Sequence, residues 1–159
     1  MTEKFTSPVA YLDTNTFIFF FQGEPTVSAR VKVLFDALRD HPGSGVTSEL
    51  TLAEVMAEPD RPLAPALKRE YLDLIVWGNF LSLVPVSRDV LYESVDLRAT
   101  HKLASGKKLD LPDAIHLATA IQKNCRFFVS GDGRISPPIG MKRISPLVSG
   151  LDEVLKVFQ

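Results

Sequence analysis

The chain alternates short apolar runs with longer segments of helical periodicity, and this alternation limits its fold more than any other feature. The short runs lack a 3.6-residue period and stop at turn-forming residues, which is typical of buried strands. They lie at residues 8–12, 45–47, 81–86, 126–130 and 142–144. Strands that are separated by helices require crossover connections. The order therefore predicts an α/β fold built on a mainly parallel sheet.

The segments between these runs carry apolar residues at helical spacing and end at glycine, proline or polar stretches. They predict helices at residues 26–40, 49–58, 67–75, 88–104, 111–124 and 151–158. The aromatic segment 17–21 is expected to form a core helix or a turn. Thr47 or Ser48 is the predicted cap of the helix that follows residue 48, and Pro59 is its predicted end.

The length and composition predict one domain, residues 1–159, because a chain of 159 residues is close to the usual domain size. A composition of 45% hydrophobic and 23% charged residues excludes long disorder. The longest apolar run, residues 16–21, is too short to span a bilayer, and the first residues do not resemble a signal peptide. The single cysteine, Cys125, excludes an intramolecular disulfide and a thiolate zinc cage, and we expect it to be a small buried hydrophobe. These features predict a cytoplasmic protein without a membrane segment.

The formal net charge of −1 is a cancellation between two unlike parts of the chain. Residues 98–143 contain nine basic and three acidic side chains, a balance of +6. The remaining residues contain nine basic and 16 acidic side chains, a balance of −7. A solvated surface is the ordinary explanation of such a basic segment, but a contact with nucleic-acid phosphates is compatible with it.

Two aspartates follow predicted strands directly. Asp13 ends the first run, and Asp132 follows the run at 126–130. Ligands of parallel α/β sheets bind outside the carboxyl ends of the strands, so both carboxylates are candidates for one site. Turn or helix-cap chemistry is the alternative for Asp13, and ordinary turn chemistry in a Gly-Asp-Gly sequence is the alternative for Asp132.

Asp113 lies on a side of its predicted helix that solvation alone would not select, because it shares that side with Leu117 and Ala120. The alternative is a first-turn acid that complements the helix dipole, which is worth about 0.3–1 kcal/mol. His116 and Thr119 lie on the polar stripe of the same helix. We therefore predict that His116 is a solvated surface residue and neither a ligand nor a base.

Glu54 is surrounded by apolar neighbours, which suggests a mostly buried helix in which an unpaired carboxylate would be costly. However, Thr47, Thr51, Glu54 and Glu58 also form one polar stripe, and that spacing favours a solvated face. Other chemistries lack support, since the three histidines are scattered and the sequence contains neither a phosphate-binding glycine loop nor a nucleophile elbow. An aspartyl nucleophile of the dehalogenase type would want a second aspartate at position 15, which is Asn15.

Four short motifs, taken together and in order, resemble the PIN-domain family, and most closely its branch of VapC-like toxin ribonucleases. The motifs are Tyr11-Leu12-Asp13-Thr14-Asn15, Ser48-Glu49-Leu50-Thr51-Leu52-Ala53-Glu54-Val55, Leu111-Pro112-Asp113-Ala114-Ile115-His116-Leu117-Ala118-Thr119-Ala120, and Phe128-Val129-Ser130-Gly131-Asp132. They extend over nearly the whole chain. The resemblance implies a three-layer α/β/α sandwich around a mainly parallel, Rossmann-like sheet, and a metal-dependent endoribonuclease.

The resemblance also implies a set of site residues. Four acids match the acidic quartet of the family, and two polar residues match positions that support it: Asp13, Glu54, Asp113, Asp132, with Thr14 and Ser130. This replaces the interpretation of Glu54 as a solvated residue. Four crowded carboxylates repel one another and require a cation or raised pKa values. Oxygen-only ligands suit Mg²⁺ or Mn²⁺, with Asp13 and Asp113 expected as the principal ligands.

If the toxin resemblance holds, it implies an RNA substrate, an antitoxin partner and a homodimer. The aromatic segment 17–21 and the helices that begin near Thr26 and Pro65 are candidate contact surfaces, although plain core is the alternative for most of their apolar residues. A second hypothesis is a catalytically silent PIN-like module that binds RNA or protein. A third is a metal-dependent DNA nuclease.

Overall fold

Five parallel strands form a single sheet in the computed structural model, which describes residues 8–57, 62–103 and 105–159. The strands are β1 (Ala10–Leu12), β2 (Gly45–Ser48), β3 (Leu81–Val84), β4 (Phe127–Val129) and β5 (Lys142–Ile144). Their order is β3-β2-β1-β4-β5, and every neighbouring pair is parallel. The predicted α/β fold with a parallel sheet is confirmed.

Seven α-helices within the described residues connect and cover these strands. They are α1 (Thr14–Gln22), α2 (Pro25–Asp40), α3 (Leu50–Val55), α4 (Pro65–Leu72), α5 (Arg88–Thr100), α6 (Leu111–Gln122) and α7 (Leu151–Leu155). A π-helical segment, Asp73–Trp77, continues α4, and a 3₁₀ turn, Lys156–Phe158, follows α7. Across the described ranges, none of the helices combines the length and the apolarity needed to cross a bilayer.

Two helix ends differ from their predictions. Helix α5 ends at Thr100 and not at residue 104, because His101 is extended and the chain then turns into a short hairpin. Helix α3 ends at Val55. The predicted extension is wrong for Met56 and Ala57, whereas Glu58 and the predicted end at Pro59 lie outside the described residues. The cap position is Glu49, which makes no side-chain cap bond, so the predicted cap at Thr47 or Ser48 is one or two residues early. The Ser48 Oγ nevertheless accepts a hydrogen bond from the backbone N–H of Leu50 at 3.1 Å.

Helices cover both faces of the sheet and produce three layers. Side chains alternate along a strand, so Ala10 and Leu12 of β1 belong to one core with α1, α2, α4 and α7. Tyr11, between them, belongs to a second core with α5 and α6 on the opposite face. Cys125 lies buried in that second core, as predicted, and burial raises the pKa of its thiol to about 12.

The sheet has a topological switch point between β1 and β4. The chain leaves β1 toward β2 on one side of it, whereas β4 lies on the other side. Leu12 is in register with Val129, so the residues that follow these two strands emerge side by side at the carboxyl edge. Open α/β sheets bind ligands at such a crevice. Asp13 and Ser130 come directly after the paired residues.

Candidate active site at the carboxyl edge of the sheet

Asp13 lies at the centre of this edge and is nearly inaccessible, with 6% of its surface exposed. Its Oδ1 accepts the backbone N–H of Thr14 at 2.8 Å, so Asp13 caps α1. Its Oδ2 accepts hydrogen bonds from the Ser130 Oγ at 2.6 Å and the Asn15 Nδ2 at 3.2 Å. The cap explanation and the site explanation of Asp13 are therefore compatible, because one oxygen caps the helix and the other faces the loop after β4.

Ser130 connects the loops that follow β1 and β4. Its Oγ accepts hydrogen bonds from the Asn15 Nδ2 at 3.1 Å and the backbone N–H of Asp132 at 3.0 Å. Asn15 also accepts the backbone N–H of Gly131 through its Oδ1 at 3.0 Å. A Cβ at Gly131 would lie 2.6 Å from the ring of Phe19 in α1, so a larger residue here would displace that ring. Asn15 was not among the predicted site residues, and its contacts depend on residues more than a hundred positions away.

Glu54 projects from α3 toward Asp13 and is half-buried. Its Oε2 accepts hydrogen bonds from the Thr14 hydroxyl and from the Nε2 of His116, the latter at 2.7 Å. Burial acts to raise the pKa of Glu54, but the hydrogen bonds and charge of its partners hold it below the ordinary value. Thr47 and Thr51, which share its polar stripe, are fully buried. The stripe faces the protein interior, so the spacing that favoured a solvated face was misleading.

His116 is buried, with 2% of its surface exposed, and the prediction of a solvated surface residue is wrong. Its Nδ1 lies 2.6 Å from the hydroxyl of Tyr11, and its Nε2 bonds Glu54 and lies 3.8 Å from the Oδ1 of Asp13. Burial acts to lower the pKa of His116, but the bond to Glu54 and the nearby carboxylates raise it overall. Each ring nitrogen therefore has a partner inside the site.

The error has a physical origin that the sequence contains. The prediction assumes that the polar stripe of α6 faces water, yet Thr119 on the same stripe is also fully buried. Residues 114–122 carry no acidic or basic side chain apart from the histidine itself, and most of them are apolar. A helix that is hydrophobic on nearly all sides is normally buried. That signal indicates an inward-facing His116.

Asp113 lies in the first turn of α6 and is half-buried. Asp110 caps this helix, because its Oδ1 accepts the backbone N–H of Asp113 at 3.0 Å. Burial, together with the charges of Asp110, Asp13 and Asp132, raises the pKa of Asp113 to about 6. Burial and the neighbouring acids thus both favour the protonated form of Asp113.

Asp132 is held by the arginine two residues later. The Arg134 Nε and Nη2 donate to its carboxylate at 2.9 and 2.6 Å, and the backbone N–H of Arg134 donates to its Oδ1 at 3.0 Å. The bonds from Arg134 hold the pKa of Asp132 below its ordinary value. Nearby, the Nη1 of Arg143 donates to the backbone carbonyl of Ser130 at 3.2 Å. Asp132 therefore makes the turn contacts that were the alternative to a role in the site. Its charge also acts on Asp113.

Hydrogen bonds connect five of the six predicted site residues. Ser130 joins Asp13 to the loop of Asp132, and Thr14 bonds both Asp13 and Glu54. Asp113 is coupled to Asp13 and Asp132 through charge. Throughout the described ranges, no three His, Cys, Asp or Glu side chains lie together in a ready-made metal-binding arrangement.

These features define the chain as a parallel α/β protein with acidic side chains at the switch point of its sheet. The family model of the PIN domain matches residues 10–137, which is most of the chain and includes all four predicted acids. The chain belongs to the PIN domain family.

Solved structures with the same fold come from bacterial toxin–antitoxin systems. A toxin–antitoxin complex from Klebsiella pneumoniae is 25% identical, with a TM-score of 0.59 over 86% of this chain and 97% of the other. VapBC2 from Rickettsia felis, bound to a promoter DNA fragment, is 15% identical, with a TM-score of 0.65 over 86% and 98% of the two chains. VapC20 from Mycobacterium tuberculosis, described as a toxin that cleaves the sarcin–ricin loop, is 14% identical, with a TM-score of 0.57 over 75% and 86%. No curated protein matches.

Proposed function

We propose that this protein is a metal-dependent endoribonuclease that hydrolyses RNA phosphodiester bonds, and that it is the toxin of a toxin–antitoxin pair. The observation that carries the proposal is the negative charge of Asp13, Asp110 and Asp132, which together with burial raises the pKa of Asp113 to about 6. Neither Asp13 nor Asp113 forms a direct ion pair with Lys or Arg within the described residues. Such an edge favours a bound cation and, through it, a phosphate.

Family membership and the fold support the proposal. The Klebsiella pneumoniae complex, at 25% identity, contains a toxin and an antitoxin. The Mycobacterium tuberculosis neighbour is described as a toxin that cleaves an RNA loop. Since the latter is only 14% identical, it supports a common scaffold, and its particular RNA target is not transferred to this chain.

The donor set fits Mg²⁺ or Mn²⁺, because every candidate ligand is a carboxylate oxygen and zinc prefers nitrogen and sulfur ligands. Asp13 and Asp113 would be the principal ligands. Glu54 and Asp132 would orient waters or hold a second ion. When bound, the metal would supply Lewis-acid polarisation of a phosphoryl oxygen and stabilise charge on the leaving oxygen.

The surrounding side chains position these carboxylates. Ser130 and the backbone N–H of Thr14 fix the two oxygens of Asp13. His116, with both ring nitrogens engaged, fixes Glu54 from the interior side. This support from a second layer of polar groups is what holds a carboxylate in a single orientation before a ligand arrives.

The test is cleavage of a labelled, structured RNA by the purified protein with Mg²⁺ or Mn²⁺, compared with Asp13→Asn, Asp113→Asn and a sample in EDTA. We expect cleavage by the wild type alone, and only with metal. Activity that is equal in all three proteins would contradict the assignment of the site. Single-stranded DNA in the same assay separates a ribonuclease from the alternative DNA nuclease.

A catalytically silent binding module is the second candidate function. The observation that favours it is that Glu54 and Asp132 already bond basic side chains, His116 and Arg134. Retained RNA binding without cleavage in the presence of Mg²⁺ and Mn²⁺ would support this alternative and contradict the nuclease.

An antitoxin and a second copy of the chain are the proposed protein partners, and a cytoplasmic location stays a prediction. The toxin–antitoxin complexes with the same fold support the antitoxin. Of the aromatic segment, Phe17 is fully buried, whereas Phe19, Phe20 and Phe21 are partly exposed against the same core. Only the partly exposed rings of α1 are therefore available for a partner.

A further inference from the structure

A short basic hairpin borders the candidate active site. Lys102 and Lys108 form an antiparallel bridge, and the backbone N–H of Leu103 donates to the carbonyl of Lys107 at 2.8 Å. Gly106 has a φ of +79°, the left-handed conformation that the tight turn requires. We call residues 102–103 and 105–108 the basic hairpin.

The hairpin is anchored by its apolar residues and presents its lysines to solvent. Leu109, directly after it, is fully buried, and Leu103 packs against the same core. Lys102, Lys107 and Lys108 are exposed. Since side chains alternate between the two faces of a hairpin, the paired Lys102 and Lys108 lie on the face opposite the anchoring Leu103 and Leu109.

Two connections place the hairpin beside the acidic edge. Lys108 is two residues before Asp110, the cap of α6, and two residues of extended chain span at most about 7 Å. At the other end, His101 contacts the backbone carbonyl of Ser136 through its Nε2. Ser136 belongs to the loop that carries Asp132 and Arg134.

The three ammonium groups have no acidic partner within ion-pair distance in the parts of the chain that the structure describes. The bridge also places two like charges, Lys102 and Lys108, opposite each other, which destabilises a hairpin. Uncompensated positive charge therefore follows the acidic edge closely along the chain. The lysines suit a polyanion whose phosphates continue past the cleaved bond, whereas the acidic edge itself would need a cation to accept a phosphate.

We propose that the basic hairpin binds the phosphate backbone of the RNA substrate next to the position of cleavage. The proposal rests on the ribonuclease function proposed above and adds a binding surface to it. Phosphate contacts position a nucleic acid without reading its sequence. The hairpin would therefore increase the affinity for RNA of any sequence and hold the strand across the acidic edge.

The test is fluorescence anisotropy with a labelled, mixed-sequence RNA oligonucleotide in EDTA, so that binding is measured without cleavage. One triple variant carries Lys102→Gln, Lys107→Gln and Lys108→Gln. The matched control carries Lys68→Gln, Lys123→Gln and Lys156→Gln, which are exposed positions outside the hairpin with the same change in net charge. Lys123 follows the far end of α6, about 18 Å from the first turn of that helix.

We expect the hairpin variant to raise Kd at least about tenfold at low salt, whereas the control changes it less than about twofold. Between about 50 and 200 mM KCl, the slope of log Kd against log salt should be shallower by about 2, since each single-strand phosphate contact contributes about 0.7. A triple Lys→Arg variant at the same positions should bind like the wild type, because arginine keeps the charge.

Equal Kd values and equal slopes for the hairpin and control variants would overturn the proposal. Tighter binding of an acidic poly-glutamate peptide than of RNA would also overturn it, because the surface would then fit a protein partner. The binding measurement does not depend on catalysis. A wild type that binds RNA through the hairpin and never cleaves it would contradict the proposed ribonuclease and leave the binding surface supported.

Discussion

Glu54 and Asp113 are both half-buried carboxylates at the same edge of the sheet, yet their surroundings shift their pKa values in opposite directions. The pKa of Glu54 is held below its ordinary value, whereas the pKa of Asp113 is raised to about 6. Burial acts on both in the same sense. The difference lies in their partners, since Glu54 bonds His116 and Asp113 is surrounded mainly by other acids.

This contrast divides the edge into two sides. On the compensated side the negative charge of Glu54 has hydrogen-bond donors, and on the uncompensated side the negative charge of Asp113 has mainly acidic neighbours. On the Glu54 side, α3 and α6 supply a buried imidazole and a threonine hydroxyl. On the Asp113 side, negative charge accumulates because Asp110, Asp13 and Asp132 all act on one carboxyl. A cation that binds this edge gains most beside Asp113, where it relieves repulsion as well as forming new contacts.

The largest effect should be the loss of RNA cleavage in Asp113→Asn. Removing a carboxylate that helps to hold the metal should cost several kcal/mol of transition-state stabilisation, or roughly 10²–10³-fold in kcat/KM. Glu54→Gln should lose only about 10–100-fold, as expected of a group that orients other ligands. Rates are measured with labelled RNA and saturating Mg²⁺.

Asp110→Asn is the matched control, because asparagine caps a helix as well as aspartate and the substitution removes one neighbouring charge. It should retain more than about a tenth of the wild-type kcat/KM. If Asp113→Asn is more active than Glu54→Gln, the proposal that Asp113 contributes more to cleavage than Glu54 is contradicted.

A smaller effect, on the free energy of unfolding, is expected when the hydrogen bonds of His116 on the compensated side are removed. His116→Ala would leave a cavity and remove one hydrogen-bond partner each from the Tyr11 hydroxyl and the Glu54 carboxylate. The expected loss is about 2–3 kcal/mol in the free energy of unfolding, measured by urea denaturation. His116→Gln, which keeps a donor for Glu54, should lose less. Equal losses in the two variants would show that the hydrogen bond contributes nothing beyond packing.

The sequence predicts the parts of this molecule that depend on local order and leaves out those that depend on distant contacts. Strands such as β1 (Ala10–Leu12) and β4 (Phe127–Val129) are short apolar runs, and their alternation with helices dictates parallel pairing. By contrast, the bond between Glu54 and His116 joins residues 62 positions apart, and no spacing within either helix indicates it. The prediction from periodicity also failed for α6, because it assumes one solvent-exposed face, whereas both faces of that helix are covered.

The pH dependence of stability should separate the two sides again, with opposite signs. Asp113 has a raised pKa in the folded protein, so its contribution to stability is fully present below its ordinary pKa and is lost as the pH rises through about 6. Glu54 has a lowered pKa, so its contribution is present above its ordinary value and is lost as the pH falls through the folded value.

Thermal unfolding between about pH 4 and 8 tests both statements. Asp113→Asn should raise Tm relative to the wild type above pH 6, and the difference should vanish near pH 4. Glu54→Gln should lower Tm at neutral pH, and its difference should shrink as the pH falls. If the difference in Tm between the wild type and Asp113→Asn does not depend on pH, the neighbouring acids do not repel the ionised Asp113 carboxylate.

The smallest effect is expected for Arg134→Gln, which removes the cation that holds Asp132. The guanidinium is exposed, so water replaces its bonds and Tm should not change measurably. The backbone N–H of Asp132 remains bonded to Ser130, which keeps the loop in place. The pKa of Asp132 should nevertheless rise toward its ordinary value, as followed by ¹³C NMR of its carboxyl carbon. Arg98→Gln, an exposed arginine outside this loop, should leave that titration unchanged. An unchanged Asp132 titration in Arg134→Gln would mean that the ion pair is not maintained in solution, and Asp132 would then belong with Asp113 on the uncompensated side.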